Sequence, residues 1–182
     1  CYSTCLSYII TTIGVIPDDQ HLIYVGQGGG DGWCTQDEFH LSFRAGGPIN
    51  FSDCSGGGQV DNRLWDIVAV PPVQGQWYHV AITWKAEEFA RLYVDGALGS
   101  QKAPLPEFVS ETWEEVIYIG RPAANKRFFG GAIDELAIFN TALDEEDIQD
   151  IMNQGLEKAL GVTGVSSTGK LGATWGQLKV QY

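Results

Sequence analysis

Between residues 76 and 84 the side chains alternate. Val80, Ile82 and Trp84 share one parity and His79, Ala81 and Thr83 the other, which is the period-2 signature of a strand with one face in a core. Leu92 and Val94 repeat the pattern in a strand predicted over 88–94. Asp95-Gly96 then supplies the residue pair favoured in a primed hairpin turn, where both positions take positive φ. Ile117 and Ile119 predict an inward face for a strand over 115–119. Further strands are predicted over 5–15, 21–27, 38–44, 48–52 and 65–70, and residues 128–140 complete the strand-like segment. Turn formers separate them: Pro17-Asp18-Asp19, Gly28 to Gly32, Gly46-Gly47 and residues 55–58. One helix is expected over 144–152. Asp144 can cap it, Asp147 follows three residues on, and Leu143 can pack on Ile148 across the cap. Glu145 and Glu146 complement the helix dipole, so this acidic cluster needs no catalytic explanation.

After residue 160 the pattern changes. Residues 161–172 are a glycine, serine and threonine linker, flexible by composition. Alternation resumes over 173–182, with Leu178, Val180 and Tyr182 on one side and Gln177, Lys179 and Gln181 on the other; Trp175 lies just ahead. The expected organisation is one domain over 1–160, a linker over 161–172 and a tail strand over 173–182. That tail is a candidate assembly strand, with Trp175, Leu178, Val180 and Tyr182 as its contact residues.

Long strands joined by tight turns make this an all-β sandwich. A chain of 182 residues, 44% apolar with six tryptophans, fills one two-sheet core and leaves little room for a second domain. The formal charge of −12 excludes a nucleic-acid role, since neutralising phosphates takes clustered lysine and arginine. Anionic membranes are disfavoured on the same ground, and no apolar stretch is long enough to span a bilayer. A cation such as calcium is the more natural partner of so acidic a surface. The chain begins at Cys1 with no signal peptide before it, as expected of a processed or truncated product.

Cys1, Cys5, Cys34 and Cys54 lack the two-residue gaps of a zinc knuckle. Three disulfide pairings are open. Cys34 and Cys54 flank the hairpin predicted from 37–44 and 48–52, which favours a bond between them and leaves Cys1 for Cys5. An even cysteine count with acidic charge and many glycines suits an extracellular, oxidising setting; buried reduced thiols in a cytosolic protein, or a lipid on Cys1, are the alternatives. Asn50-Phe51-Ser52 is a glycosylation sequon. Catalytic signatures are absent: Asp37-Glu38 points to opposite faces of a strand, wrong for carboxylates serving one bond, and there is no zincin histidine motif or nucleophile elbow. Gly28 to Gly32 lacks the lysine and following helix of a phosphate loop. A non-catalytic chain is expected.

Gly75-Gln76-Trp77-Tyr78-His79-Val80-Ala81, Leu92-Tyr93-Val94-Asp95-Gly96, Tyr118-Ile119-Gly120-Arg121 and the run from Phe129 to Leu143 together resemble the C-terminal half of a laminin-G-like domain of the concanavalin-A-like jelly-roll superfamily. The resemblance spans residues 5–153 with gaps and is strongest after Gly75. It implies an antiparallel two-sheet jelly-roll sandwich with a short C-terminal helix, here followed by the extended tail strand. It also implies a structural hydrogen bond for His79 and a packing role for Phe128-Phe129. The paired-carboxylate motif Glu-x-Asp-x-x-Glu that jelly-roll glycosidases carry on one strand does not occur in this sequence. Related jelly-rolls place an aspartate where Asp134 stands to bind one structural calcium; Asp31 or Asp18-Asp19 would supply further oxygens, and a metal-free strand carboxylate is the alternative. Recognition of carbohydrate or of a cell-surface protein is implied. Trp33, Trp65 and Trp113, near loops or strand ends, are the candidates for stacking on sugar rings, with core capping as the competing role. The family's first strand, ahead of residues 5–15, has no counterpart here. The strand could belong to residues outside this sequence, be replaced by the chain's own tail, or be donated by a neighbour; repeated head to tail, the last would build a filament.

Overall fold

The computed structural model describes residues 3–12, 20–26, 38–43, 47–53, 64–65, 73–85, 88–102, 117–121, 126–159 and 161. Among these residues, ten strands form two antiparallel five-stranded sheets. The first sheet contains β1 (Ser3–Thr12), β6 (Trp77–Lys85), β7 (Phe89–Val94), β8 (Ala97–Lys102) and β10 (Gly131–Phe139), in the order β10-β1-β6-β7-β8. The second contains β2 (Gln20–Gly26), β3 (Glu38–Phe43), β4 (Ile49–Asp53), β5 (Leu64–Trp65) and β9 (Ile117–Ile119), in the order β5-β4-β3-β2-β9. The arrangement is that of a jelly-roll sandwich.

The alternation seen in the sequence sets the core. Val80, Ile82 and Trp84 meet Ala90 and Leu92 on the inner face of the first sheet. Ile23, Val25, Leu41, Phe43, Ile49 and Phe51 face them from the second. Tyr78, Val94, Phe129, Ile133 and Leu136 pack at the margin. Phe129 stacks on Phe43 with ring centroids 6.0 Å apart, while its neighbour Phe128 is half exposed, so the packing role expected for the pair falls to Phe129. Leu22 is a bulge residue: His21 pairs with Ser42 and Ile23 with Leu41, and the extra residue between them also reaches the core.

The strand β8 has no apolar alternation of its own. Among the described residues it is an edge strand, small or polar apart from the exposed Leu98, and its sequence signal is the turn before it. Asp95 (φ 50°) and Gly96 (φ 74°) make the expected primed turn, and Val94 pairs with Ala97 across it. Of the strand predicted over 65–70, Leu64–Trp65 is observed and residues 66–70 lie outside the described residues.

The outer face of the first sheet carries α1 (Glu145–Gln154). Asp144 caps it reciprocally: its Oδ1 accepts from the Asp147 amide at 3.0 Å, and its own amide donates to Asp147 Oδ2 at 3.3 Å. Ile148 and Leu143 pack with Ala81 and Tyr93, and Gln149 Nε2 donates to the Gly96 carbonyl at 3.2 Å. Gly155, with φ 79°, ends the helix, its amide donating to the Ile151 carbonyl at 2.9 Å. A four-residue helix, α2 (Leu156–Ala159), follows. The expected linker over 161–172 and tail strand over 173–182 lie, apart from Gly161, outside the described residues. No helix among the described residues is long and apolar enough to cross a membrane.

The two long sides of the sandwich differ. On one, β5 lies beside β7 and β8, bringing the sheets together. On the other stand β9 and β10. The chain between them is held to β2: the Gly120 amide donates to the Leu22 carbonyl (2.8 Å), His21 to Arg127 (3.1 Å) and Phe129 to Gly120 (2.8 Å). The expected inward face of β9 is present in the register, since Ile119 pairs with Ile23 and Ile117 with Val25. Yet Ile117 and Ile119 are 45% and 51% exposed, whereas Ile23 and Val25 are at 1% and 4%.

Candidate functional site

The strand register gives the second sheet an outer face unlike its inner one. Ile23, Leu41 and Phe51 look inward; the next residues along the strands therefore look outward. On that face Tyr118, Tyr24 and His40 stand in one cross-strand row, and His21, Ser42 and Asn50 in another. The rings form a continuous patch. Centroids are 6.1 Å apart for Tyr24 and Tyr118, 6.0 Å for His21 and Tyr24, and 4.8 Å for His21 and His40. Asn50 Nδ2 donates to Ser42 Oγ at 3.0 Å. Trp65 pairs with Asn50 across β4 and β5, which places it at the end of the second row.

His21, Tyr24, His40, Ser42 and Asn50 are all buried. The patch reaches solvent at its β9 end, where Tyr118 is half-buried and the Arg121 guanidinium lies 5.0 Å from its ring centroid. At that end the Tyr118 ring, with Arg121 beside it and the buried rings behind it, can hold a ligand that is apolar on its C–H face and polar at its rim. On the outer face of the first sheet, α1 covers Ala81 and Tyr93 with Ile148.

Among the residues expected to act, Trp65 is in β5, paired in register with Asn50. Trp33 and Trp113 lie outside the described residues, as do Cys1, Cys34, Cys54, Asp31 and the tail residues Trp175, Leu178, Val180 and Tyr182. Cys5 sits in β1, paired with Thr83 and Phe139. Asp134 is in β10, where its Oδ1 accepts from the Glu135 amide at 3.0 Å. No group of three His, Cys, Asp or Glu among the described residues is placed to hold a metal; Asp18, Asp19 and Asp31, the further oxygens expected beside Asp134, lie outside them. Asn50, the residue of the sequon, is buried, and its Nδ2 is the donor to Ser42 Oγ.

His79 lies on the other sheet and serves the fold. Its amide donates to Asp95 Oδ1 at 2.9 Å, and the Asp95 amide returns a bond to the His79 carbonyl at 2.8 Å. Burial pushes its imidazole below the ordinary histidine range, opposed in part by the Asp95 carboxylate. The hydrogen bond expected for this residue is thus made by its backbone. Sequence reasoning does not bring Tyr24, Tyr118, His21 and His40 together. Only the β2–β3 register, with its bulge at Leu22, brings the two histidine rings together.

The model of a concanavalin A-like lectin/glucanase superfamily domain matches residues 12–149. The chain belongs to that superfamily. No curated protein matches it. Among solved structures it is similar to the CBM40 of the Ruminococcus gnavus IT-sialidase, solved bound to alpha2,3 sialyllactose, at 18% identity over 83% of each chain with a TM-score of 0.68. A SAP-like pentraxin from Limulus polyphemus matches at 15% identity over 82% of this chain and 69% of that one, TM-score 0.55. The NanB sialidase of Streptococcus pneumoniae matches at 15% identity and TM-score 0.66, over 82% of this chain but only 24% of the enzyme. At these identities the likeness concerns the fold. The jelly-roll fold and the superfamily expected from the motifs around Gly75 and Phe129 are both upheld.

Proposed function

We propose that this chain is a non-catalytic, lectin-like module that binds carbohydrate outside the cell. The observation that carries the reading is the outer face of the second sheet, where Tyr24, Tyr118, His21 and His40 form one ring patch edged by Ser42 and Asn50. Two relatives in fold support it: a sialidase CBM40 solved with sialyllactose, and a sialidase of which this fold makes up about a quarter. The charge of −12 disfavours acidic sugars over neutral ones by long-range repulsion, so a neutral glycan is the better ligand. A protein of the cell surface is the second kind of partner for the same face. Glycan-array binding followed by calorimetry tests the reading, with Tyr118→Ala as the site variant. Binding of neutral glycans that falls at least tenfold in the variant supports it; no binding across the array, or binding untouched by the variant, overturns it. Loss of that binding in EDTA, with recovery in calcium, is the test of the calcium assigned to Asp134.

A further inference from the structure

Among the described residues, one side of the sandwich is unfinished. Ile117 and Ile119 on β9 and Ile138 on β10 belong by register to inward rows: Ile119 pairs with Ile23, Ile117 with Val25, and Ile138 with Leu6, which pairs with Ile82. All three are nevertheless 45–51% exposed, and Phe128 beside them is at 50%. Among the described residues, β10 pairs only with β1, leaving the outer edge of a nine-residue strand without a ladder partner. An exposed apolar edge of this length invites another strand. The same strand has a polar feature: Glu135, at a register shift with φ 52°, has a buried Oε2 with no hydrogen-bond partner, an arrangement that is costly unless a donor arrives.

We propose that residues 173–182 of this chain dock along β10 as an added edge strand, covering the isoleucines of β9 and β10 and completing the first sheet. Three properties of that segment fit. Its alternation places Leu178, Val180 and Tyr182 on one face, matching the apolar row, and Lys179 on the opposite face, the side where Glu135 meets Gly155. Residues 162–182 contain two lysines and no acid, in a chain of net charge −12, so the segment is attracted to the body it would join. The reach is sufficient within one molecule. Glu135 Oε1 lies 3.4 Å from where a Cβ on Gly155 would stand, so α2 sets out from beside β10. The eleven residues 162–172 span up to about 36–40 Å, against about 31 Å for the full length of β10. A tether this short gives an effective concentration near the millimolar range, which favours docking in the same molecule over exchange with a neighbour at micromolar protein.

Hydrogen exchange on the full chain tests this, comparing it with the full-length variant Leu178→Asp/Val180→Asp, alongside light scattering. The expected result is a monomer in both cases, with alternate amides of Gly131–Phe139 exchanging about tenfold or more faster in the variant. The amides of Trp77–Lys85 and Phe89–Val94 should be unchanged and report that the core is intact. A synthetic peptide of residues 173–182 should restore the protection. A second measurement leaves the tail untouched: a photo-crosslinker at the exposed position 119 should capture residues 173–182 of its own molecule. Equal exchange in both proteins overturns the proposal, as does a crosslink elsewhere. A wild-type oligomer that the variant dissolves, or crosslinks between molecules, also overturns it and assigns the edge to a second copy.

Discussion

The turn Asp95-Gly96 joins two strands and also seats the helix, and a single methyl group separates those roles. Gly96 is buried at φ 74°, and a Cβ there would stand 3.1 Å from Gln149 Cγ, 3.1 Å from Met152 Cε and 3.3 Å from Met152 Sδ. Gly75 has nearly the same backbone, φ 77°, but nothing within 4 Å of the added atom. Gly75→Ala therefore measures the backbone term alone: a left-handed penalty of roughly 1–2 kcal/mol, offset by about 0.4–1 kcal/mol from the stiffer unfolded chain. The net is about 1 kcal/mol. Gly96→Ala carries that cost and must also displace two side chains of α1, adding about 1–2 kcal/mol of overpacking and disturbing the Gln149 bond to the Gly96 carbonyl. Urea denaturation should give a loss of about 2–3 kcal/mol, and thermal melting a drop of about 4–10 °C for a chain of this size. Repeating Gly96→Ala in a Met152→Ala background should recover most of the difference, since the two sites are in contact. Equal losses for Gly75→Ala and Gly96→Ala, within about 0.5 kcal/mol, would mean that α1 does not rest on the turn.

Ile148→Ala empties the middle of the helix–sheet contact, where Ile148 is fully buried against Ala81 and Tyr93; a loss of about 2–4 kcal/mol is expected in urea, and less than 1 kcal/mol would mean a loosely docked helix. Asp144→Ala removes the acceptor for the Asp147 amide and should cost about 1 kcal/mol, read as a lower melting midpoint at unchanged circular dichroism. For His79 the folded-state pKa lies below its unfolded value of 6.5. As pH falls through that value the unfolded chain takes up a proton that the folded chain resists, so the contribution of His79 to stability is whole above it and declines below it. His79→Gln should flatten the fall in urea midpoint between pH 7.5 and 5; an unchanged slope would exclude His79 as its source. Peptide mapping without reductant should find Cys34 joined to Cys54, the two cysteines that flank the β3–β4 hairpin in sequence; a Cys1–Cys34 link would refute that pairing.

Local pattern was enough for much of this protein. The inward set Val80, Ile82 and Trp84, the Asp95-Gly96 turn and the Asp144 cap each depend on residues a few positions apart, and each is found where the sequence places it. Strand β8 shows the limit of that legibility: an edge strand buries little, so its side chains carry no apolar period, and only the preceding turn announces it. The candidate site was less legible. Tyr24 and Tyr118 are 94 positions apart, and His21 and His40 meet only after a one-residue bulge shifts the β2–β3 register. Parity along one strand says which residues share a face, but pairing between distant strands decides which faces adjoin. Asn50 marks the same boundary, because a sequon is local while burial against Ser42 is not. Ile117 and Ile119 mark it most sharply. Their alternation correctly predicted an inward direction, yet whether anything covers an inward residue depends on the strand opposite, and on this side of the sandwich that strand is β10, which among the described residues pairs only with β1.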